Sequence, residues 1–199
     1  MTTLTMIGKP CPIPVVEAKK ALSQPGVQGV IVLVDNIIAV QNLEKMAKGL
    51  GYGFSFEQKS EGEYSAVIFA KDSEGKPTAV TQPEQTALGG VTFFITGDQI
   101  GISSEEPGKK LMKSFLYSLA ESPSAPESIL LVNAAVKLAA EGSEAIDDLK
   151  KLGARGVKIL SCGQCLGYYE LTDKLAVGKI TNMLEIIEIL SSAQRTVTL

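Results

Sequence analysis

The chain contains no histidine. A Ser-His-Asp or Cys-His nucleophile needs an imidazole base, so both kinds of catalytic centre are excluded. Zinc sites draw their four ligands mainly from Cys and His, and the chain has three such residues in all, each a cysteine. Neither a metal nor any other cofactor is therefore expected. A basic surplus is missing too: the net charge is −3 and Lys and Arg do not cluster. Phosphate affinity rests on such clusters, so nucleic acid is not an expected partner. Long apolar runs are absent as well. The longest lie near residues 30–34 and 128–138, far short of the roughly 20 residues that cross a bilayer. Residues 1–3 do not open a basic segment followed by an apolar one, so no secretory signal is expected and the reading places the protein in the cytoplasm, away from membranes.

Across 199 residues, 45% are hydrophobic and 21% charged, the balance of a globular protein able to bury a core. Three cysteines, an odd number without an export signal, argue against a disulfide framework and for free thiols. The pattern along the chain divides it into two α/β domains. In the first, residues 1–72, a short extended start leads to a helix on which Val15, Ala18 and Leu22 recur until Pro25 and Gly26 stop it. Residues 30–34 read as a buried strand. Val40, Leu43, Ala47 and Leu50 mark a second helix, then Tyr52, Phe54 and Phe56 alternate as a strand whose partner is 64–70. The order βαβαββ implies a two-layer sandwich with both helices on one face of a small sheet. Residues 73–89, polar and carrying Pro77 and Pro83, read as a linker.

The second domain, 90–199, alternates strands at 91–96, 129–133 and 157–160 with helices carrying Met112, Phe115, Leu116 and Leu119, then Ile146, Leu149 and Leu152, and finally Met183, Ile186, Ile187 and Leu190. Ser143 is the expected cap of the middle helix, and 196–199 close the chain. Such alternation argues for a mainly parallel sheet covered on both faces. The Gly- and Ser-bearing stretch 97–108, with Gly97, Gly101, Gly108, Ser103 and Ser104, matches neither a P-loop nor a dinucleotide fingerprint and reads as a loop. Glu105 and Glu106 read as a solvated helix start.

Two cysteine sites stand out. Cys11 lies in Cys11-Pro12-Ile13-Pro14, between the first strand and the first helix. A residue before proline is pushed out of the helical region, and Pro12 and Pro14 suit a first turn, so Cys11 is expected at the helix amino terminus. There the macrodipole and any free amides favour a thiolate, while the two prolines take away two donors. A small buried cysteine in a stiff turn is the alternative. The stretch Gly8-Lys9-Pro10-Cys11-Pro12-Ile13-Pro14, with Ala18-Lys19-Lys20-Ala21-Leu22 and Asp35-Asn36, resembles the TusA/SirA-like sulfur carrier domains. That resemblance covers residues 1 to about 70 and implies a persulfide held on Cys11. Thr5 and Ile7 stand where acidic and basic residues often precede the glycine, a departure bearing on partner recognition and thiolate tuning.

The second site, Ser161-Cys162-Gly163-Gln164-Cys165-Leu166, follows a strand, and the region past a strand's carboxyl end is where α/β sheets form crevices. Two thiols three residues apart can stabilise a thiolate, close a disulfide or pass a sulfane sulfur between them; a turn with incidental cysteines is the alternative. Tyr168 and Tyr169 either wall this crevice or, as the better reading, pack in the core. The run 157–166, with Leu175-Ala176-Val177-Gly178 and Thr181-Asn182-Met183, resembles a DsrE/DsrF-like domain, and the two domains in this order resemble the YedF group of sulfurtransferase-like selenium metabolism proteins. The resemblance implies a sulfur or selenium carrier, or sulfurtransferase, working through Cys11, Cys162 and Cys165 with Pro12, Pro14, Gly163 and Gln164 in support. It also implies protein sulfur donors and acceptors, such as a cysteine desulfurase, and a tendency to form homo-oligomers. A dithiol-disulfide redox protein using the CxxC pair and a non-catalytic binding or regulatory module are the competing functions.

Overall fold

The central strands of the second unit alternate their apolar residues between two opposite packing partners, and that alternation decides the architecture. The computed structural model describes residues 1–70, 87–102 and 104–199, which fall into two compact units, Met1–Pro83 and Glu84–Leu199. The stretch expected as a linker lies outside the described residues as far as 86.

The first unit runs β1 (Thr2–Thr5), α1 (Ile13–Leu22), β2 (Gly29–Val34), α2 (Ile37–Gly49), β3 (Gly53–Ser60) and β4 (Glu63–Phe69), the expected βαβαββ order. Its sheet is mixed, in the order β1-β2-β4-β3. β1 and β2 are parallel, with Thr5 opposite Leu33, and the other pairs are antiparallel. Val30, Val32 and Val34 on alternate positions of β2 join Ala66 and Ile68 of β4 in packing against Ala18 and Leu22 of α1 and Val40, Leu43 and Ala47 of α2. Period-2 burial on the sheet meets period-3.6 burial on the helices, which is what a two-layer sandwich requires. Asn36 opens α2, its Oδ1 accepting the Ala39 amide at 2.8 Å, so one of the donors that a helix start leaves without an intrahelical partner is satisfied.

The second unit carries β5 (Ala87–Ile95), α3 (Glu105–Glu121), β6 (Ala125–Leu131), a 3-10 segment (Asn133–Ala139), α4 (Ile146–Ala154), β7 (Lys158–Cys162), α5 (Gly163–Tyr168), β8 (Lys179–Thr181), α6 (Met183–Ser192) and β9 (Arg195–Thr198). All five strands are parallel, in the order β8-β7-β6-β5-β9. Ile129, Leu131 and Ile159 face Met112, Leu116, Leu149 and Leu152 on one side, while Leu130, Leu160 and Cys162 face Ile186 on the other. Burial on both faces explains why β6 ends in the uninterrupted apolar run Ile129, Leu130, Leu131.

Several boundaries differ from the sequence reading. β5 begins at Ala87, inside the stretch read as linker, and its pairing with β6 is irregular between Leu88 and Thr92, so Gly89 and Gly90 mask the strand's period. Gly90 has φ +73 and sits where a Cβ would meet the Gln194 side chain. α3 starts at Glu105, so Gly108 is helical and not part of a loop; there its lack of a side chain lets the helix lie against the Ile100 carbonyl, 3.0 Å from where a Cβ would stand. Ser143 does not cap α4, whose cap is Ala145; the Ser143 hydroxyl accepts the Ala145 amide in the preceding turn. Asn133 belongs to the 3-10 segment and not to a strand.

Leu130 is fully buried on the α6 side of the sheet. Leu130→Ala should lower stability by about 2–5 kcal/mol, read as a fall in the urea midpoint. A loss under about 1 kcal/mol would mean that this face is not a packed core.

Candidate functional site

The Cys11 site is built where β1 and β2, side by side and parallel, both end. The chain leaving β1 passes Gly8, which has φ +74, a left-handed turn that glycine takes without strain. The Gly8 amide donates to Asp35 Oδ2 at 2.6 Å, and Asp35 directly follows β2. The Asn36 side-chain amide donates to the other carboxylate oxygen at 2.7 Å. These two donors, the Gly8 amide first, hold the Asp35 carboxyl below its ordinary value, because hydrogen bonds to the charged form favour ionisation. Asp35 and Asn36 therefore clasp the β1–α1 loop and cap α2 in one stroke.

Cys11 projects from this loop exposed and without a disulfide. The structure sets it one place outside the expected position: Pro12 is the cap residue of α1, Pro14 is buried in the first turn, and Cys11 precedes the cap across a cis peptide bond. The first-turn amides are engaged elsewhere. Pro12 and Pro14 have no N–H, while Ile13 donates to the Pro10 carbonyl and Val15 and Val16 to that of Pro12. One donor that reaches the sulfur comes from α2, where Asn42 Nδ2 lies 3.9 Å from Cys11 Sγ.

The second site lies at the carboxyl edge of the parallel sheet. Cys162 is the last residue of β7, not the first beyond it, and the cap of α5. It is 3% exposed, among Leu130, Val132, Leu160 and Ile186. Ser161, on the opposite face of the strand, is fully buried and its Oγ has no hydrogen-bond partner among the described residues. Gly163 is small of necessity: a Cβ there would come within 2.9 Å of Ile180 Cγ2 on β8. Gln164 is exposed. Cys165, one helical turn beyond Cys162, is half-buried and packs against the cluster that holds Cys162. Burial raises the Cys165 pKa, a backbone hydrogen bond from Asn133 works against that rise, and the Cys162 thiol adds to it.

Sequence reasoning named the two tyrosines near Cys165 but passed over Asn133 and Lys137. Asn133 has φ +50 and donates its backbone N–H to Cys165 Sγ at 3.1 Å. Its side-chain oxygen accepts the Tyr169 hydroxyl at 3.2 Å. Lys137 lies 4.5 Å above the Tyr169 ring, a cation–π contact, and 3.9 Å from Asp98. A cavity of about 570 Å³ opens beyond Tyr169, with Asp98, Lys109, Lys113, Lys137 and Glu144 in its wall. Tyr168 is 81% exposed, not packed in the core, whereas Tyr169 does pack against it. The signal available beforehand was an asparagine at a strand end, a residue type enriched in left-handed turns. Among the described residues no cluster of His, Cys, Asp and Glu could hold a metal ion, and no helix is long and apolar enough to cross a membrane.

The Asp35 clasp sets a pH window. Because folding lowers the Asp35 pKa, its contribution is complete above the ordinary carboxyl value of 3.8 and is lost as pH falls through the lower folded value. The NMR signal of the Gly8 amide should stay constant down to about pH 4 and move only below it. In Asp35→Ala it should sit at the displaced position at every pH. A Gly8 signal indifferent to both changes would remove the clasp.

The chain was compared with known proteins and structures. The family model Sulfurtransferase TusA matches residues 2–69, and that of the DsrE/DsrF-like family matches residues 127–199. A SirA-like protein from Desulfitobacterium hafniense is 47% identical over 36% of this chain and 100% of its own, with a TM-score of 0.34. The YchN protein of E. coli is 16% identical over 55% of this chain and 97% of its own, with a TM-score of 0.41. A protein of unknown function from Methanobacterium thermoautotrophicum is 20% identical over the same shares, 55% and 97%, also with a TM-score of 0.41. No curated protein matches. Through the unit that presents Cys11 the chain belongs to the TusA/SirA-like family, and the unit that holds Cys162 and Cys165 is DsrE/DsrF-like.

Proposed function

We propose that the protein is a persulfide sulfur carrier, or sulfurtransferase, in which Cys11 of a carrier domain at residues 1–72 and the Cys162–Cys165 pair of a domain at residues 90–199 hold the cargo. The observation that carries this reading is the exposed Cys11 thiol, presented on a loop clasped by Asp35 and Asn36, within a unit that a sulfurtransferase family model matches almost throughout. The absence of histidine is compatible with it. A thiolate attacks the terminal sulfur of a donor persulfide, the donor's own thiolate leaves with the electron pair of the broken S–S bond, and the terminal sulfur arrives on Cys11. No base and no oxidant enter once the attacking thiol is ionised.

Pro12 and Pro14 stiffen the turn that presents Cys11, Gly163 lets α5 start against β8, and Gln164 faces the solvent where a partner would approach. Protein donors, a cysteine desulfurase among them, and protein acceptors are the proposed partners, with selenium as the alternative cargo and a homo-oligomer as the working state. A reducing cytoplasm suits three unbridged thiols.

The packing of Cys165 against the cluster that holds Cys162 favours a second reading for that pair, a dithiol that cycles through an intramolecular disulfide. The two readings separate in one experiment. The full chain and its Cys11→Ser and Cys162→Ser variants are incubated with a persulfide donor and analysed by intact-protein and peptide mass spectrometry. A reductant-labile gain of one sulfur atom on Cys11, lost in Cys11→Ser, is expected. No gain on any cysteine, with a clean Cys162–Cys165 disulfide in its place, would overturn the carrier and leave the redox reading.

A further inference from the structure

Among the described residues only two that are not glycine have a left-handed backbone, Asn133 at φ +50 and Glu170 at φ +55. Asn133 touches Cys165, and Glu170 lies just past the end of the helix that carries it. Glu170 follows Tyr169, whose amide closes α5 on the Cys165 carbonyl, and Asn133 stands two residues beyond the end of β6. Backbone held in this region by a side-chain-bearing residue is costly and collects at working sites. At Asn133 the outcome is visible: the left-handed turn brings the N–H to 3.1 Å from Cys165 Sγ, and the side chain is tied down independently by the Tyr169 hydroxyl. The residue is fixed at both ends, and its one backbone donor points at a sulfur.

We propose that Asn133 is a positioning residue for Cys165, presenting a backbone N–H that stabilises the Cys165 sulfur whenever it carries negative charge, with Tyr169 as the latch that keeps the donor in place. Cys165, half-buried and supplied with this donor, is then the thiol of the pair that ionises and exchanges sulfur, and Cys162, 3% exposed, is its resolving neighbour. This rests on the sulfur-relay reading and assigns the chemistry within it. When an acceptor thiolate attacks the outer sulfur of a Cys165 persulfide, the Sγ–S bond breaks and its electron pair stays on Cys165 Sγ. The acceptor gains the sulfane sulfur, and no electron is gained or lost overall. The negative charge thus develops on the atom that faces the Asn133 amide, a fixed donor aimed at the leaving group of the reaction. Burial works against charge on this sulfur, and the Asn133 bond opposes that effect.

The test separates the amide from the side chain. In the full-length reduced protein, the rate of iodoacetamide alkylation at Cys165 is followed against pH by peptide mass spectrometry. Asn133→Gly keeps the left-handed backbone and the N–H but loses the side-chain oxygen that holds the Tyr169 hydroxyl, so its midpoint should rise no further than that of Tyr169→Phe. Asn133→Val, a β-branched residue for which positive φ is strained, should move the midpoint up by about one pH unit. Tyr169→Phe removes only the latch and should move it in the same direction by less. Transfer from Cys165 persulfide to a small thiol should slow about tenfold in Asn133→Val and no more in Asn133→Gly than in Tyr169→Phe.

A native midpoint in Asn133→Val, or an equal rise in Asn133→Gly, would overturn the proposal. Should Asn133→Val fail to fold by circular dichroism, an unchanged midpoint in Tyr169→Phe would do so. The two levels of the reading also fail differently. Shifted alkylation profiles in a protein that never accepts sulfur keep the positioning role and remove the relay, whereas normal sulfur loading with superimposed profiles removes the positioning role alone.

Discussion

When two neighbouring strands run parallel, their carboxyl ends arrive at the same edge of the sheet, and whatever follows each strand meets there. Both cysteine sites depend on this constraint. In the first unit the parallel pairing of β1 and β2 sets Thr5 opposite Leu33, so the loop carrying Gly8 and Cys11 emerges beside Asp35 and Asn36. In the second, β6 and β7 pair with Leu131 opposite Ser161. That register brings Asn133, two residues beyond one strand, to the cysteines that begin at the end of the other. A shift of one residue would turn every side chain of the strand to the opposite face, placing Cys162 where Ser161 now lies.

The two thiol environments solve different problems. Cys11 is exposed and offered on a stiff turn whose amides are used up locally or missing, so what the fold supplies is access and a firmly held loop. Cys165 is partly withdrawn from water, which disfavours its charged form, and the fold answers with one aimed amide. Burying a thiol without a donor would leave it inert, while a donor on a mobile loop would be worth little because it must be ordered each time charge appears. The left-handed Asn133 and its Tyr169 latch supply that order in advance. Neither arrangement calls on an imidazole, in keeping with a chain that has none.

Much of the fold was legible because burial has a period. The valines of β2, the apolar face of α2 and the Ile129–Leu131 run each announce their element through a spacing of 2 or 3.6 residues. Short elements escaped for the same reason: β8 has three residues and α5 six, too few to show a period. Gly108 reads as a breaker and sits in a helix because close packing against the Ile100 carbonyl outweighs its poor propensity. Ser143 reads as a cap and closes the turn before the helix.

For function, the chemistry was local and the geometry was not. The residues Cys11-Pro12-Ile13-Pro14 and Cys162-Gly163-Gln164-Cys165 by themselves marked thiols as the candidate groups at strand-to-helix junctions, and the composition excluded an imidazole beside them, because these follow from residue type and spacing along the chain. Only the tertiary structure decided which groups touch the sulfurs. Asn42 is 31 residues from Cys11, and Asn133 is 32 from Cys165; contacts at that range are made by strand pairing and helix packing, and no local pattern in the sequence encodes them.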